Sequence, residues 1–107
     1  MPEQRKILAQ LEMANASLET LYTVPQGASV EAALTICNPT AGALTYRVAL
    51  SPEAAAIADK HYVYYDQPIA AKATAITSVT LGPLDIVRVY GSGADLVANL
   101  AGKLITD

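Results

Sequence analysis

The chain lacks phenylalanine and tryptophan, and it has only one cysteine, Cys37, and one histidine, His61. A single cysteine excludes an intrachain disulfide. One histidine with acidic neighbours in no recognisable spacing falls short of the three or four ligands that a zinc site needs. We therefore predict no metal site and no cofactor.

Basic residues and long apolar runs are also scarce. The seven Lys and Arg residues are scattered and the formal net charge is −3, whereas a nucleic-acid surface needs clustered positive charge. No apolar run approaches the ~20 residues that cross a bilayer, and no long apolar segment follows the N-terminal basic residues, as it would in a secretory signal. We expect neither nucleic acid nor membrane as a partner, and synthesis in a reducing cytoplasm.

Without Phe and Trp, six tyrosines are the only aromatic residues in 107 positions. That length fits one domain. Ala, Val, Leu and Ile must then fill most of the core, and alanine buries little area. We expect a thin core and a chain that associates with itself.

Two runs of alternating apolar residues flank the turn-forming residues 38–42 and predict a β-hairpin over residues 28–50. The opposite side of the first run, which includes Ala33 and Thr35, is small and weakly polar, so we expect something to cover it. The positions predicted to face the core are Val30, Ala32, Leu34 and Ile36 in the first run and Leu44, Tyr46, Val48 and Leu50 in the second.

Five further segments have the composition of strands bounded by turn formers: residues 18–24, 61–66, 73–81, 86–90 and 95–105. Pro68 is expected to end the segment before it, because proline cannot donate to a ladder. Ser51-Pro52-Glu53 predicts a short helix that ends near Lys60. The predicted fold is all-β: an antiparallel β-sandwich of about seven strands, of the jelly-roll or immunoglobulin-like kind, with one short helix.

The N-terminal segment has a different pattern. Ile7, Leu8 and Leu11 follow a mixed spacing of three and four residues, which predicts either a short amphipathic helix or an extended arm on a neighbouring subunit. We therefore divide the chain into an arm or helix at residues 1–16 and a sandwich domain at residues 17–107.

Candidate catalytic groups have no supporting pattern. His61 near Asp59 and Asp66, and Cys37 at the end of a strand, favour structural roles. Ser92 between two glycines lacks the wider nucleophile-elbow pattern and predicts a turn. We predict no catalytic residue and no enzymatic activity.

Tyr62, Tyr64 and Tyr65 form the densest aromatic group. Alternation places Tyr62 and Tyr64 on one face of a strand, and Tyr65 with Val63 on the other. Three roles are open: core packing, which is favoured, a protein interface, and stacking on carbohydrate.

The order of landmarks along the chain is similar to that of a known family. RKILAQ is followed by LYTVPQGASVEAALTICN, a Tyr-Arg-Val-Ala-Leu strand, HYVYYDQPIAA and LDIVRVYGS, and then by a strand with Gly102. Over most of its length the chain resembles small β-sandwich virion proteins of tailed bacteriophages, although its last strand lacks a Phe. The most specific pieces are Tyr22-Thr23-Val24-Pro25 with Gly27, Cys37-Asn38, Tyr64-Tyr65-Asp66 with Pro68, and Arg88-Val89-Tyr90.

The resemblance implies a structural protein located on the virion and made in the host cytoplasm. Short chains of this class often decorate the capsid as cement proteins, commonly as homotrimers, and bind the major capsid protein or other virion proteins. Two alternatives are a tail, baseplate or fibre-associated module that acts as an adaptor or contacts a receptor, and a carbohydrate-binding module outside any virus. The residues predicted to contact partners are Arg5, Ile7, Leu8, Leu11, Ala33, Thr35, Tyr65 and Val97.

Overall fold

The computed structural model describes residues 3–13, 16–93 and 95–106. Over these residues the chain forms eight strands and two short 3₁₀ turns. The strands are β1 (Glu3–Glu12), β2 (Leu18–Thr23), β3 (Ala28–Cys37), β4 (Leu44–Ser51), β5 (Tyr62–Ile69), β6 (Thr74–Leu81), β7 (Ile86–Gly91) and β8 (Val97–Thr106). The predicted all-β sandwich is confirmed.

The strands form two four-stranded antiparallel sheets. Sheet A has the order β1-β8-β3-β6 and sheet B the order β2-β7-β4-β5. Only β4 and β5 are consecutive strands in one sheet, so every other connection crosses from one sheet to the other. This wrapping of the chain between two sheets is a jelly roll.

The N-terminal segment is a strand of the sandwich, and the predicted arm or helix is wrong for residues 3–12. β1 pairs with β8 along its whole length, with a bulge between Ile7 and Ala9. The bulge turns Leu8 and Ala9 to the same side, where they pack with Leu11 against the core. Residues 1, 2, 14 and 15 of the predicted arm lie outside the described residues.

The predicted hairpin over residues 28–50 is also wrong, because β3 lies in sheet A and β4 in sheet B. Buried Asn38 organises the crossing. Its Nδ2 donates to the carbonyl oxygens of Gly42 (2.9 Å), Ile69 (3.2 Å) and Ala70 (3.2 Å), and its Oδ1 accepts from the Thr40 hydroxyl (2.6 Å). One amide therefore ties the β3–β4 connection to the end of β5.

The connection between β4 and β5 contains two 3₁₀ turns, Pro52–Ala54 and Asp59–His61, in place of the predicted helix. Pro68, expected to end a strand, lies inside β5 opposite Thr45. β5 is an edge strand, where a residue without an N–H group is tolerated.

The core lies between the sheets and is mostly aliphatic, as the composition predicts. The predicted inward residues Val30, Leu34 and Ile36 of β3 are buried, and so are Ala98 and Leu100 of β8. No helix among the described residues is long and apolar enough to cross a membrane.

Two tyrosines add aromatic bulk beneath sheet B. The rings of Tyr46 and Tyr64 lie 5.7 Å apart, and the Thr77 hydroxyl donates to the Tyr64 hydroxyl at 3.1 Å. Burial raises the pKa of Tyr46, with a smaller contribution from Tyr64, and burial also raises the pKa of Tyr22.

Candidate interaction faces

The strand registers define the side of sheet A that faces away from the core. Opposite residues of antiparallel strands point to the same side, so each outward residue of β3 has outward neighbours on β8, β6 and, one strand further, β1. Two adjacent rows of this face carry no charge: Ile7, Ala101, Ala33 and Ser78 in one, and Gln10, Asn99, Thr35 and Ile76 in the next. We call these residues the uncharged band.

The side chains of the uncharged band project furthest from the sheet at its two ends and least in the middle. Ile7 and Ile76 lie on the two edge strands, and their side chains are 60% and 70% exposed. Ala33 and Ala101, between them, are small and also exposed. An exposed strand face normally carries more polar and charged side chains than this, so the band is suited to contact with another surface.

Charged residues border the band. Lys103 Nζ lies 3.9 Å from Glu3 Oε2 and 3.8 Å from Glu31 Oε2, and exposed pairs at such distances contribute only ~0–1 kcal/mol. Where this border meets the band there is an open depression of about 750 Å³, with Arg5, Ile7, Thr80 and Gly102 among its lining residues.

Five of the residues predicted to contact partners come together on this outer face of sheet A: Arg5, Ile7, Ala33, Thr35 and Val97. The other three do not join them. Leu8 and Leu11 pack against the core, and Tyr65 belongs to sheet B. The remaining members of the band, such as Ile76, were missed because the register that sets them beside Thr35 cannot be deduced from the alternation of one strand.

The outer face of sheet B is built around Arg47. Its guanidinium carbon lies 4.0 Å from the centre of the Tyr65 ring and 4.3 Å from that of Tyr90. Its Nε and Nη2 donate to the two carboxylate oxygens of Asp66 at 2.6 and 3.2 Å, and this hydrogen bonding raises the pKa of Arg47. We call these four residues the Arg47 cluster. Each member of the cluster therefore has a contact within the chain, while Tyr65 stays 58% exposed.

The connection between β4 and β5 lies against the same face. Arg88 Nη2 donates to the Ala55 carbonyl oxygen at 3.2 Å. Ala49 lies between Arg88 and Tyr62 in the strand register, yet it is fully buried. Sheet B therefore has little uncovered strand surface in this region.

The predicted alternation of the tyrosines is wrong at Tyr62. The Tyr62 ring makes an edge contact with Tyr65, with centroids 5.0 Å apart, while Tyr64 contacts Tyr46 beneath the sheet. Register shifts in the β4–β5 ladder change the side on which each β5 residue lies. The group therefore divides between core packing by Tyr64 and a pair made of exposed Tyr65 and half-buried Tyr62. Exposed aromatic rings are the type of surface that stacks on sugars or proteins.

His61 lies beside a second cavity of about 370 Å³, which is also lined by Ser51 and Asp85. His61 Nδ1 accepts from the Ala58 N–H at 3.1 Å and lies 3.3 Å from Ser51 Oγ, which is fully buried. The Asp85 carboxylate accepts from the backbone N–H groups of Gly82 (2.8 Å) and Glu53 (2.9 Å). Asp85 thus stabilises the turns at Gly82 and Glu53. Its hydrogen bonds do not orient the His61 imidazole, as the acid of a catalytic triad would.

Other candidate groups remain isolated. Cys37 is a half-buried free thiol on the outer face of sheet A. Among the residues that the structure describes, no three His, Cys, Asp or Glu side chains converge on a point that could hold a metal ion. Comparison of the sequence with family models and with curated proteins found no match.

Proposed function

We propose that this protein is a structural component of a tailed-phage virion, a homo-oligomeric decoration protein that binds the head shell and stabilises it. The observation that carries the proposal is the uncharged band on the outer face of sheet A. It contains three residues that the sequence analysis assigned to partner contact, Ile7, Ala33 and Thr35, and Arg5 and Val97 lie beside it on the same face. No segment of the described chain covers it. The partners are further copies of the chain and the major capsid protein or another virion protein.

The chemistry of the band suits a protein surface as its partner. Ala33 and Ala101 allow close approach, the exposed side chains of Ile7 and Ile76 supply apolar area, and charged residues form a rim. Interfaces commonly combine a centre depleted of charge with a polar rim.

A shell presents the same site many times. Copies that are linked to one another bind such a lattice with a higher effective concentration. Binding to the assembled shell alone then stabilises that state by mass action. A modest contact area per copy is sufficient for this role.

The fold supports the proposal only by analogy with other jelly-roll proteins. Jelly rolls occur in viral structural proteins and also in lectins, and a fold by itself does not assign a function. The position of the uncharged band therefore carries more of the proposal than the topology.

The first test is antibody-gold labelling of intact particles, viewed by electron microscopy. We expect many gold particles distributed over the head. Label confined to the neck, tail or tip would contradict shell decoration, and so would absence of label when the antibody binds the free protein.

The Arg47 cluster favours a second candidate, a tail or fibre-associated module that contacts a receptor. Tyr65 is 58% exposed and next to Tyr62, and exposed aromatic rings stack on sugars. A carbohydrate-binding module outside a virus would use the same chemistry. Binding of the purified chain to host polysaccharide, lost in Tyr65→Ala and kept in Ile7→Ala, would favour these candidates over decoration.

A further inference from the structure

The four edge strands of the sandwich differ in how they are protected against pairing with another strand. β1 carries Glu3, Arg5, Lys6 and Glu12 and a bulge. β2 has a register shift and Glu19, and β5 has register shifts, Asp66 and Pro68. Charges, bulges and proline are the usual means by which edge strands avoid pairing.

β6 has none of these features. Its sequence, TAITSVTL, contains no charge and no proline. Its ladder with β3 runs without a shift over all of its residues. One side of β6 pairs with β3, and as the end strand of sheet A it presents the backbone N–H and C=O groups of its other side at the edge. A regular, uncharged edge of this kind is a template for adding a strand.

We propose that β6 pairs antiparallel with β6 of a second copy of the chain across a two-fold axis. The two four-stranded A sheets then form one sheet of eight strands. This inference concerns the contact between copies and goes beyond the proposed function. It would place two uncharged bands side by side on one continuous surface.

Charge favours a second copy as the occupant of this edge. A two-fold axis brings identical strands together, and a charged strand would repel its own copy, whereas β6 has no charge to repel. The axis also brings the start of β6 close to the end of the partner's β6. The start of β6 is positively charged, because exposed Lys72 precedes it. Its other end is bordered by residues 52–61 and 82–85, where the negative charges of Glu53, Asp59 and Asp85 outnumber the one positive charge of Lys60. Opposite charges therefore meet across the axis.

The outward residues of β6 are compatible with such a pairing. Thr74, Ile76, Ser78 and Thr80 all lie on the outer face of sheet A. Opposite residues in an antiparallel pair share a face. If the two-fold axis passes beside one residue of β6, the outward residues of the two copies therefore lie opposite one another, and the outer faces of both A sheets point to the same side. With the axis centred on Ile76 or Thr77, near the middle of β6, the exposed side chain of Ile76 lies beside an outward side chain of the partner strand.

A two-fold contact yields dimers or assemblies with an even number of copies, and not the homotrimer that the family resemblance implies. The measurement that separates them is the mass of the purified chain by sedimentation equilibrium over a wide concentration range. We expect a reversible monomer–dimer equilibrium. A monomer at every concentration, or a trimer, would overturn the inference without affecting the test of shell decoration.

The matched variants are Ile76→Lys and Ile7→Lys, since both change a highly exposed isoleucine of the same face at opposite edges. Ile76→Lys should weaken dimerisation at least about tenfold, while Ile7→Lys should leave it unchanged. Circular dichroism and thermal melting establish that each variant is folded. The reverse pattern of effects would overturn the inference.

A charge-swap experiment tests contact across the axis directly. Ile76→Lys and Ile76→Glu should each be monomeric alone, because like charges face each other, and a mixture of the two should form a heterodimer. Failure of the mixture to associate, with both variants folded, would contradict a β6–β6 contact.

Discussion

The two outer faces of the sandwich use their side chains in opposite ways. On sheet B, the Arg47 cluster pairs Asp66, Tyr65 and Tyr90 with one guanidinium. Ala49 is fully buried beside Arg88, which bonds to the connection between β4 and β5. On sheet A, the uncharged band has no such internal partners among the described residues, and Ile7 and Ile76 project from its ends.

The difference indicates which face has contact area to offer. A side chain that already has partners within the chain must break those contacts before it can bind elsewhere. The uncharged band has apolar area available at no such cost. We therefore propose sheet A as the face of the main partner contact and the Arg47 cluster chiefly as a means of stabilising sheet B.

The largest expected effect comes from disturbing the strand packing beneath the outer face of sheet A. A Cβ atom on Gly102 would overlap the backbone of Glu31 and Ala32 in β3, so Gly102→Ala must push β8 and β3 apart. We expect a loss of about 3 kcal/mol in the free energy of unfolding, measured by urea denaturation. Gly42→Ala is the matched control, since a Cβ there meets nothing within 4 Å; equal stability of the two variants would contradict the packing described for β3 and β8.

The comparison of the faces is tested next by placing one charge on each. Ala33→Glu puts a carboxylate in the middle of the uncharged band, and Thr20→Glu puts one on an exposed position of β2 in sheet B. We expect Ala33→Glu to weaken binding to purified shells at least about tenfold, because the charge is desolvated at the contact, and Thr20→Glu to have little effect. Equal losses, or a loss with Thr20→Glu alone, would refute the assignment to sheet A.

A smaller effect is expected from the tyrosines that sheet B turns inward. Burial raises the pKa of Tyr46 in the folded protein above its ordinary value of 10.0. As the pH rises, the Tyr46 hydroxyl therefore loses its proton at a lower pH in the unfolded chain than in the folded protein. The folded protein then binds more protons, and the free energy of unfolding falls as the pH rises. Denaturation between about pH 9 and 11 should show a shallower fall in Tyr46→Phe than in the wild type. An unchanged slope would show that Tyr46 does not contribute.

The smallest effect is expected from the loose ion pairs on sheet A. Lys103→Gln removes two exposed contacts of 3.8 and 3.9 Å and should cost less than about 0.5 kcal/mol. Arg47→Gln removes a short two-point contact with Asp66 and two ring contacts, and it should lower the melting temperature more. If Lys103→Gln were the more damaging variant, the contrast between the two faces would be wrong.

Alternation predicted the positions of seven strands and the buried side of β3, because a two-residue period follows directly from strand geometry. It failed where a bulge breaks the period. The bulge in β1 sets Leu8 and Ala9 on one side, which produces the spacing of an amphipathic helix in a segment that is a strand. Register shifts in β5 likewise bring Tyr62 and Tyr65 together.

Strand pairing could not be predicted from local patterns. The turn formers at residues 38–42 were consistent with a hairpin, whereas in the structure the chain crosses between sheets there and Asn38 bonds to Ile69 and Ala70. Those partners lie more than thirty residues away in sequence. For the same reason the sequence indicated single members of the uncharged band but not their arrangement in rows.

Electron cryo-microscopy of intact virions tests the central claim most directly, because it shows which surface of the sandwich meets its partner. Our account predicts the sandwich at regular positions on the head, with the outer face of sheet A against the shell and Ala33 in the contact. A sandwich bound through the Arg47 cluster, with the uncharged band turned to solvent, would contradict it.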